Sequence, residues 1–458
     1  MAHEALRGAL RGELLEPGNP AYDATRVVWN GMIDRRPALI VRCRNAADVI
    51  ASVNYARAHR LVIAVRSGGH NVAGYAVCDD GLMIDMSPMN SVWVAPDLGS
   101  AGVAGGATWA DVDAATTPFG RAAPGGLISA TGVAGLTLSG GIGWLRGTRG
   151  LSCDNIISAD VVTADGRLIQ ASASENTDLL WALKGGGGNF GIVVNFEFRL
   201  HPIAAETMFC APIYDEKQAN DIIPKWRDFL ASAPDEVSGL AEFSTIPNDP
   251  AYPEHTWGTR VVALATVYDG PAEDGERITQ PLRDFGKPLL DFSGRMPYRT
   301  LQTLYDGLFP KGRDRCYWKS TYLSGLDDGF IRAITAGLAK RPSEMTFASI
   351  WKFGGAVQRL AADATAFGDR SMPFMLSLDA IWSNPTDDTA NIGWVRDLWQ
   401  GMQKHSTGRM YLNFPGLGEG ENLVRDAFGA KTYARLQGIK RKYDPDNIFR
   451  MNQNILPQ

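Results

Sequence analysis

The sequence has no continuous run of about 18 apolar residues, the length that a membrane-spanning helix requires. Its opening stretch, MAHEALRGALRGELLEPGNP, contains neither an apolar signal segment nor a twin arginine, so we expect a cytoplasmic protein without membrane spans. An excess of charge of one sign is also missing, because 45 Lys and Arg face 50 Asp and Glu and the net charge is −5. A nucleic-acid partner or an anionic membrane surface is therefore not expected.

Patterns for disulfide bonds and metal ions are missing too. The five cysteines are odd in number and include no Cys-x-x-Cys pair, which predicts reduced thiols. No two of the six histidines stand at metal-ligand spacing, so no catalytic metal is expected. The cysteines are Cys43, Cys78, Cys153, Cys210 and Cys316, and the histidines are His3, His59, His70, His201, His255 and His405.

What the chain does have is length and glycine. Its 458 residues exceed what one ordinary core supports, so two domains are expected. A composition of 45% hydrophobic and 21% charged residues is typical of a soluble globular protein. The 50 glycines exceed the usual share of about 7% and gather in a few stretches, which indicates backbone packed against a ligand.

Periodicity predicts an α+β protein. A helix is expected to begin near Asn45 and to place Val49, Val53 and Ala56 on one face, before a short strand in "LVIAV". Residues 81–97 alternate like two hairpin strands, and the Asp165-Gly166 pair predicts the turn of a hairpin. Helices mixed with short strands favour α+β over a doubly wound sheet.

The composition of the chain changes after Pro202. Glycine runs stop, and strands are expected in "RVVALATVYDG", "CYWKSTYLSGL", "MTFASIWKFGG" and "FMLSLDAIW", separated by helices. Past residue 411 the chain is expected to return to the first domain. The predicted division is therefore residues 1–203 with 411–458 as one domain, and 204–410 as a second α+β domain.

Three glycine-rich stretches indicate a ligand site. They are "VRSGGHNVAGY" at 65–75, "TGVAGLTLSGGIGW" at 131–144 and "GGGGNFG" at 185–191. The first follows a strand directly, and glycines there allow successive N–H groups to converge on an anion such as a pyrophosphate. Taken alone, it is explained equally well by a tight turn with a surface histidine. Three such stretches in one domain favour one long ligand of dinucleotide length.

These stretches, together with the terminal "YDPDNIFRMNQNI", resemble the berberine-bridge-enzyme-like flavin oxidases of the vanillyl alcohol oxidase/p-cresol methylhydroxylase superfamily. The bacterial 6-hydroxynicotine-oxidase-like branch is the most similar. The resemblance implies an α+β fold in which a PCMH-type FAD-binding domain carries an inserted substrate domain over the flavin. It also implies that FAD is bonded covalently to the histidine of R-x-G-G-H, which is His70 here.

The resemblance implies further cofactor contacts by position. A second covalent link through cysteine is not expected, because Ile128 stands where relatives carry that cysteine and Cys153 lies beyond the glycine run. Thr131 matches the position at which relatives admit or block oxygen. The implied FAD contacts are Arg66, Ser67, Gly68, Gly69, His70, Asn71, Thr131, Gly132, Gly135, Leu136, Thr137, Gly141, Gly143, Val193, Asn452 and Asn454.

The resemblance also points to the residues that would handle the substrate. Asn413 in "RMYLNFPGLGEG" matches a shared asparagine, whereas Phe414 replaces the catalytic tyrosine of plant relatives. Strand alternation would put Tyr411 on the face of Asn413 and away from Phe414; a core tyrosine explains Tyr411 equally well.

Two further candidates for the catalytic base lie in predicted strands. Lys319 is one, although a lysine in an aromatic strand is more often a snorkelling group. Asp379 is the other, on the face of Ser377, although a strand-edge aspartate is the simpler reading.

The implied reaction removes hydride from a small-molecule C–H, in an alcohol, hemiacetal or amine, to flavin N5, while a base takes a proton. Oxygen is expected to reoxidise the flavin and give hydrogen peroxide. A flavin dehydrogenase, a flavin-binding protein without turnover and a non-flavin nucleotide binder are the alternatives. The protein is expected to be a monomer or homodimer.

Overall fold

The computed structural model describes residues 3–308, 310–417 and 421–458. The strands of these ranges are β1 (Glu13–Leu15), β2 (Leu39–Arg42), β3 (Ile63–Arg66), β4 (Leu82–Asp85), β5 (Val92–Ala95), β6 (Ser100–Ala104), β7 (Arg121–Ala122), β8 (Ile156–Val162), β9 (Leu168–Ala171), β10 (Ile192–Arg199), β11 (His201–Pro202), β12 (Thr207–Cys210), β13 (Pro212–Asp215), β14 (Val237–Thr245), β15 (Arg260–Tyr268), β16 (Leu290–Asp291), β17 (Gly294–Met296), β18 (Arg315–Leu323), β19 (Phe347–Lys352) and β20 (Phe374–Trp382).

Helices alternate with these strands along the chain. They are α1 (Glu4–Ala9), α2 (Tyr22–Arg26), α3 (Ala46–His59), α4 (Trp109–Thr116), α5 (Val133–Leu138), α6 (Arg146–Arg149), α7 (Thr177–Leu183), α8 (Ala219–Ser232), α9 (Ala272–Thr279), α10 (Tyr298–Leu301), α11 (Asp328–Leu338), α12 (Ala356–Arg359), α13 (Asp388–Met402), α14 (Glu421–Phe428) and α15 (Ala430–Tyr443).

A four-stranded sheet in the order β1-β2-β4-β3 carries the first glycine stretch. The predicted helix over 45–59 is confirmed as α3, which is capped because the Asn45 side chain accepts from the Asp48 backbone N–H at 3.0 Å. Strand β3 follows α3 and pairs in parallel with β4, so the chain enters the glycine stretch at the end of a strand that lies inside the protein.

A five-stranded sheet, β5-β6-β10-β8-β9, lies next along the chain. The predicted Asp165-Gly166 turn is confirmed, since it joins the antiparallel strands β8 and β9. The hairpin predicted over residues 81–97 is wrong. Its two halves belong to different sheets: β4 pairs in parallel with β2 and β3, whereas β5 pairs with β6. Strand β4 is buried at every residue, as expected of a parallel strand covered on both faces and not of an alternating hairpin strand.

A nine-stranded antiparallel sheet is built from strands between residues 207 and 382, with the order β16-β13-β15-β14-β19-β20-β18; β12 also pairs with β15, and β17 pairs with β12. The four strands expected from the sequence in this region are confirmed as β15, β18, β19 and β20. Side chains alternate across this sheet. One face packs on α8, α11 and α13, and the other carries Leu240, Trp351 and Met375 into the core shared with the glycine-rich region.

The C-terminal segment returns to the glycine-rich region through a buried ion pair. Lys440 Nζ lies 2.6 Å from Asp444, and both side chains are fully buried. The same ammonium donates to the backbone carbonyls of Asn189 and Phe449. The Asn189 side chain in turn donates to the Gln453 carbonyl. These bonds fix residues 449–455 against the "GGGGNFG" stretch.

The cysteines are unpaired, as the sequence predicts, and each thiol is buried. None of the helices within the described ranges combines the length and the apolar composition needed to cross a bilayer. In residues 3–308, 310–417 and 421–458 no three His, Cys, Asp or Glu side chains gather as metal ligands would.

Candidate active site

A cavity of about 290 Å³ runs from the glycine stretches to one face of the nine-stranded sheet. One end is lined by the 67–71 stretch, and the other end is lined by Trp318, Phe347, Trp351 and Asp379 of the sheet. Most of the predicted cofactor contacts meet here: Ser67, Gly68, Gly69, His70, Asn71, Thr131, Gly132, Gly135, Leu136, Val193 and Asn452 line the cavity, and so do Tyr411, Asn413 and Asp379.

The 67–71 stretch offers hydrogen-bond donors to the cavity. Among the described residues, no protein group accepts the backbone N–H groups from Ser67 to Asn71. The Ser67 hydroxyl is buried and likewise has no protein partner. Converging backbone donors and one hydroxyl suit an anionic group such as a pyrophosphate.

Arg66 does not take part in this end of the cavity. Its guanidinium is buried, donates to Asp85 from Nε at 3.1 Å and from Nη2 at 2.8 Å, and also donates to the Thr25 carbonyl. Since Asp85 is fully buried, the arginine is needed to neutralise that carboxylate. The predicted contact of Arg66 with the pyrophosphate is therefore corrected: the side chain holds the end of β3 in place.

His70 faces the cavity as a neutral imidazole. Burial, and to a lesser extent the charge of Lys311, lower the pKa of His70 to about 4. The ring stacks on Trp29, with centroids 5.7 Å apart and planes 17° from parallel. A neutral ring in a fixed orientation retains a nitrogen lone pair, as bond formation to an electrophilic carbon requires.

The second glycine stretch divides into a lining part and a packing part. Thr131, Gly132, Gly135 and Leu136 line the cavity. The others lie behind it. A Cβ on Gly143 would come within 1.7 Å of the Gly125 carbonyl oxygen, and a Cβ on Gly141 within 2.3 Å of the Ser152 hydroxyl. Gly141, Gly143 and Thr137 are therefore outside the lining, and their flavin contacts stay predictions; the two glycines permit close backbone packing, and the buried Thr137 hydroxyl has no protein partner.

The C-terminal residues divide in the same way. Asn452 lines the cavity with a buried Oδ1 that has no protein partner, and Met451 and Gln453 lie beside it. Asn454 is outside the lining, although its buried Oδ1 likewise has no protein partner, so its contact with the cofactor stays a prediction.

Tyr411 and Asn413 form a hydrogen-bonded unit at the cavity wall. The Asn413 side chain donates to the Tyr411 hydroxyl at 2.8 Å and to the Leu136 carbonyl at 2.9 Å. The Gly141 backbone N–H donates to the same hydroxyl at 3.0 Å. Burial raises the pKa of Tyr411 above its usual value despite these donors. The tyrosine oxygen accepts twice, so its own proton is left for donation into the cavity.

The segment that carries these two residues is a turn. Phe414 N–H donates to the Tyr411 carbonyl, and the rings of Tyr411 and Phe414 meet edge to face at 5.2 Å. The predicted strand alternation, which directed Phe414 away from Tyr411, is therefore wrong, and all three side chains line the cavity. Residues 418–420 of the same sequence stretch lie outside the described ranges.

Two carboxyl groups reach the cavity from the nine-stranded sheet. Asp379 is 2% exposed, and its Oδ2 accepts from the Ser377 hydroxyl at 2.6 Å while Oδ1 has no protein partner. Burial raises the pKa of Asp379 well above its usual range, the Ser377 hydrogen bond opposes this, and the charge of Glu242 adds to it. Burial alone raises the pKa of Glu242 to about 7. Glu242 is not among the residues predicted from the sequence; a lone glutamate between Ala241 and Phe243 in a buried strand is the signal that marks it.

Lys319 lies on the other face of the sheet. Its ammonium is 4.1 Å from the centre of the Trp399 ring of α13, and it is absent from the cavity lining. Neighbouring Trp318, which points the opposite way, lines the cavity. The alternation of β18 therefore corrects the prediction of Lys319 as a base in this site.

Comparison with known proteins decides the family. Residues 37–172 match an FAD binding domain, and residues 410–456 match the family described as berberine and berberine like. The chain is 30% identical to the FAD-linked oxidoreductase YgaK of Bacillus subtilis (strain 168), over 98% of this chain and 97% of that protein. It is also 30% identical to (R)-6-hydroxynicotine oxidase of Paenarthrobacter nicotinovorans, over 98% of each chain. The chain belongs to the berberine-bridge-enzyme-like family of FAD-linked oxidoreductases.

The fold of this FAD-linked oxidoreductase agrees with the assignment. It matches the crystal structure of 6-hydroxy-D-nicotine oxidase from Arthrobacter nicotinovorans with a TM-score of 0.86, at 28% identity and with 98% of both chains covered. The α+β class and the PCMH-type FAD-binding fold expected from the sequence are confirmed.

The residues of the cavity fit FAD. A Cβ on Gly135 or Gly188 would meet no heavy atom within 4 Å, so the backbone at both glycines is open to a bound group. The partnerless Ser67 hydroxyl and Asn452 amide oxygen line the same space. Bare backbone and unused polar atoms along one continuous cavity are what an elongated dinucleotide needs.

Proposed function

We propose that this FAD-linked oxidoreductase is an oxidase whose FAD is bonded covalently to His70 alone, and that it oxidises a C–H bond beside a hydroxyl or amine of a small molecule. The observation that carries the proposal is the single cavity that joins the His70 stretch to Asp379 and Tyr411. We further propose that residues 1–203 with 411–458 hold the cofactor and that residues 204–410 hold the substrate.

The link to His70 is supported by the state of its side chain. The imidazole is neutral because burial lowers its pKa to about 4, and stacking on Trp29 fixes the ring. A neutral nitrogen is the form that can bond to carbon. Ile128 lines the cavity at the position where a second link would need a cysteine, and Cys153 is buried elsewhere.

When bound, FAD supplies the acceptor for the electron pair of the substrate C–H bond. The protein holds the substrate proton. We assign Asp379 as the base, since its Oδ1 has no protein partner and its raised pKa makes the carboxylate a stronger proton acceptor. Tyr411 donates a hydrogen bond to the substrate oxygen or nitrogen, and Asn413 orients the tyrosine.

The remaining contacts are proposed from the lining. Backbone N–H groups of residues 67–71 and the Ser67 hydroxyl would hold the pyrophosphate, while Gly132, Gly135, Leu136, Val193 and Asn452 would lie along the dinucleotide. Thr131 lines the cavity at the position proposed to govern oxygen access. A dehydrogenase with another electron acceptor and a flavin-binding protein without turnover are the competing functions.

One screen separates these functions. The purified yellow protein is mixed anaerobically with sugars, alcohols and cyclic amines in turn. The absorbance of the oxidised flavin, at about 450 nm, is followed in each mixture. An oxidase bleaches with one class and yields one peroxide per substrate in air. Bleaching without peroxide favours the dehydrogenase, and no bleaching by any class contradicts turnover.

A further inference from the structure

Glu242 and Asp379 face the cavity from the same side of the nine-stranded sheet. Glu242 of β14 pairs in register with Ser349 of β19, and Ser349 pairs with Ser377 of β20. Asp379 follows Ser377 by two residues and therefore points to the same face. The two carboxyl-bearing strands are separated by one strand, and Asp379 is two residues further along its strand, so the two backbone positions are about 12 Å apart. Both side chains line the same cavity, so one bound ligand can meet both.

The end of the cavity that is lined by the nine-stranded sheet carries acidic groups and no basic ones among the described residues. Among the described residues that line the cavity there is no lysine or arginine, and His70 is neutral. The ionisable groups that face Glu242 are Asp379, Tyr252 and Tyr305, none of them cationic. Lys311 influences His70 at the other end but does not line the cavity.

Aromatic rings surround the carboxyl groups. Trp318 meets Phe414 edge to face at 5.3 Å and Phe347 at 6.3 Å, and Trp351 lies 6.3 Å from Phe414. All four rings line the cavity. Rings attract cations through their faces, and this attraction adds to that of a carboxylate.

The hydroxyl beside Asp379 is engaged within the protein. Ser377 donates to Asp379 and accepts from Trp351 Nε1 at 3.2 Å. The Oδ1 atom of Asp379 is buried and lacks a donor. A positively charged nitrogen beside this oxygen would compensate the charge of a carboxylate there.

We propose that Glu242 and Asp379 bind a positively charged nitrogen, so that Glu242 makes the site specific for amines over neutral sugars and over acids. This inference rests on the proposed function, because it names the substrate class of the same cavity. For a protonated amine, the N–H bond breaks and the proton passes to a carboxylate oxygen. The amine that remains is neutral, and its nitrogen lone pair can then assist the loss of hydride from the adjacent carbon.

The test compares two ligands of equal shape. Choline and 3,3-dimethylbutan-1-ol differ only in a charged nitrogen and a neutral carbon, and each is titrated calorimetrically into the anaerobic holoprotein. We expect choline to bind at least about tenfold more tightly, the scale of one cation–carboxylate and cation–aromatic contact. The Glu242→Gln variant should lose this preference, and Glu206→Gln, a change at an exposed glutamate, should retain it.

Three results would overturn the inference: equal affinity for both ligands, no measurable binding of choline, or a preference that survives Glu242→Gln. Cellobiose, titrated in parallel, should bind no better than the neutral alcohol; tighter binding of the sugar would also contradict the inference. The titration needs neither turnover nor the His70 bond. Failure here therefore leaves the oxidase proposal standing, whereas failure of the bleaching screen leaves this binding result intact.

Discussion

Gly68 and Gly132 touch backbone to backbone. A Cβ on Gly68 would come within 2.3 Å of the Gly132 nitrogen, and a Cβ on Gly132 within 2.2 Å of the Gly68 nitrogen. The two glycine stretches that line the cavity are thus held in contact at a point where no side chain fits. The distance between the His70 stretch and α5 depends on this contact.

Two glycine substitutions should separate packing from cofactor binding. Gly132→Ala forces backbone atoms apart and is expected to lower the free energy of unfolding by about 1–3 kcal/mol. Gly135→Ala points a methyl group into open cavity space, in a helical residue where alanine is favoured, so the fold should persist while flavin content falls. Thermal unfolding and the flavin-to-protein absorbance ratio measure the two effects. Equal losses of stability in both variants would contradict this division.

Tyr411→Phe should slow flavin reduction while leaving most of the fold intact. The change removes the proton donor and leaves the Gly141 N–H and Asn413 amide without their acceptor. We expect the anaerobic reduction rate to fall about 10- to 100-fold, the scale of a lost hydrogen-bond donor at a reacting centre. Tyr322→Phe is a suitable control, because Tyr322 is buried outside the cavity lining. An unchanged rate in Tyr411→Phe would remove this residue from the reaction.

Substitutions of Asp379 and of Lys319 should affect the rate of flavin reduction very differently. Asp379→Asn should lower the reduction rate about 100-fold or more, because an amide cannot take the substrate proton. Lys319→Met should leave the reduction rate per bound flavin within about threefold of the parent rate. The Lys319 ammonium lies on the far face of β18, where it cannot contact the reacting atoms. Stopped-flow absorbance measures both. The reverse order of effects would reinstate the lysine.

Glu242 should make stability depend on pH. Its pKa is raised from 4.5 to about 7 in the folded chain, so the folded state holds the proton more tightly than the unfolded state. Stability is therefore lost as pH rises from about 4.5 to 7. Glu242→Gln removes this loss and should be more stable than the parent by about 1–2 kcal/mol above pH 7, less than full burial would give because the side chain is partly exposed to the cavity.

The free energy of unfolding is measured by denaturant titration between about pH 5 and 8, a range that spans the titration of a carboxyl group with a raised pKa. The difference in this free energy between Glu242→Gln and the parent should shrink toward pH 5. Asp379, Tyr252 and Tyr305 face Glu242 and are the same in both proteins. Glu206→Gln should show no such trend. A difference that is constant across this range would contradict the raised pKa.

Features of the fold that depend on neighbouring residues in the chain could be predicted from the sequence. Asn45 caps its helix, Asp165-Gly166 turns its hairpin, and the glycine stretches mark the cavity. Features that depend on packing between distant parts of the chain could not be predicted from the sequence. Strands β4 and β5 lie in different sheets, and the role of Arg66 depends on a buried partner 19 residues away. Glu242 was missed for the same reason, because the register of β14 beside β19 is what directs it into the cavity.

The most direct test is to denature the purified protein in acid, run it on a denaturing gel and view it under ultraviolet light. We predict that flavin fluorescence travels with the parent chain and with Cys153→Ala, and that it is absent from His70→Ala. Fluorescence that is missing from the parent, or that persists in His70→Ala, would contradict a flavin bonded to His70.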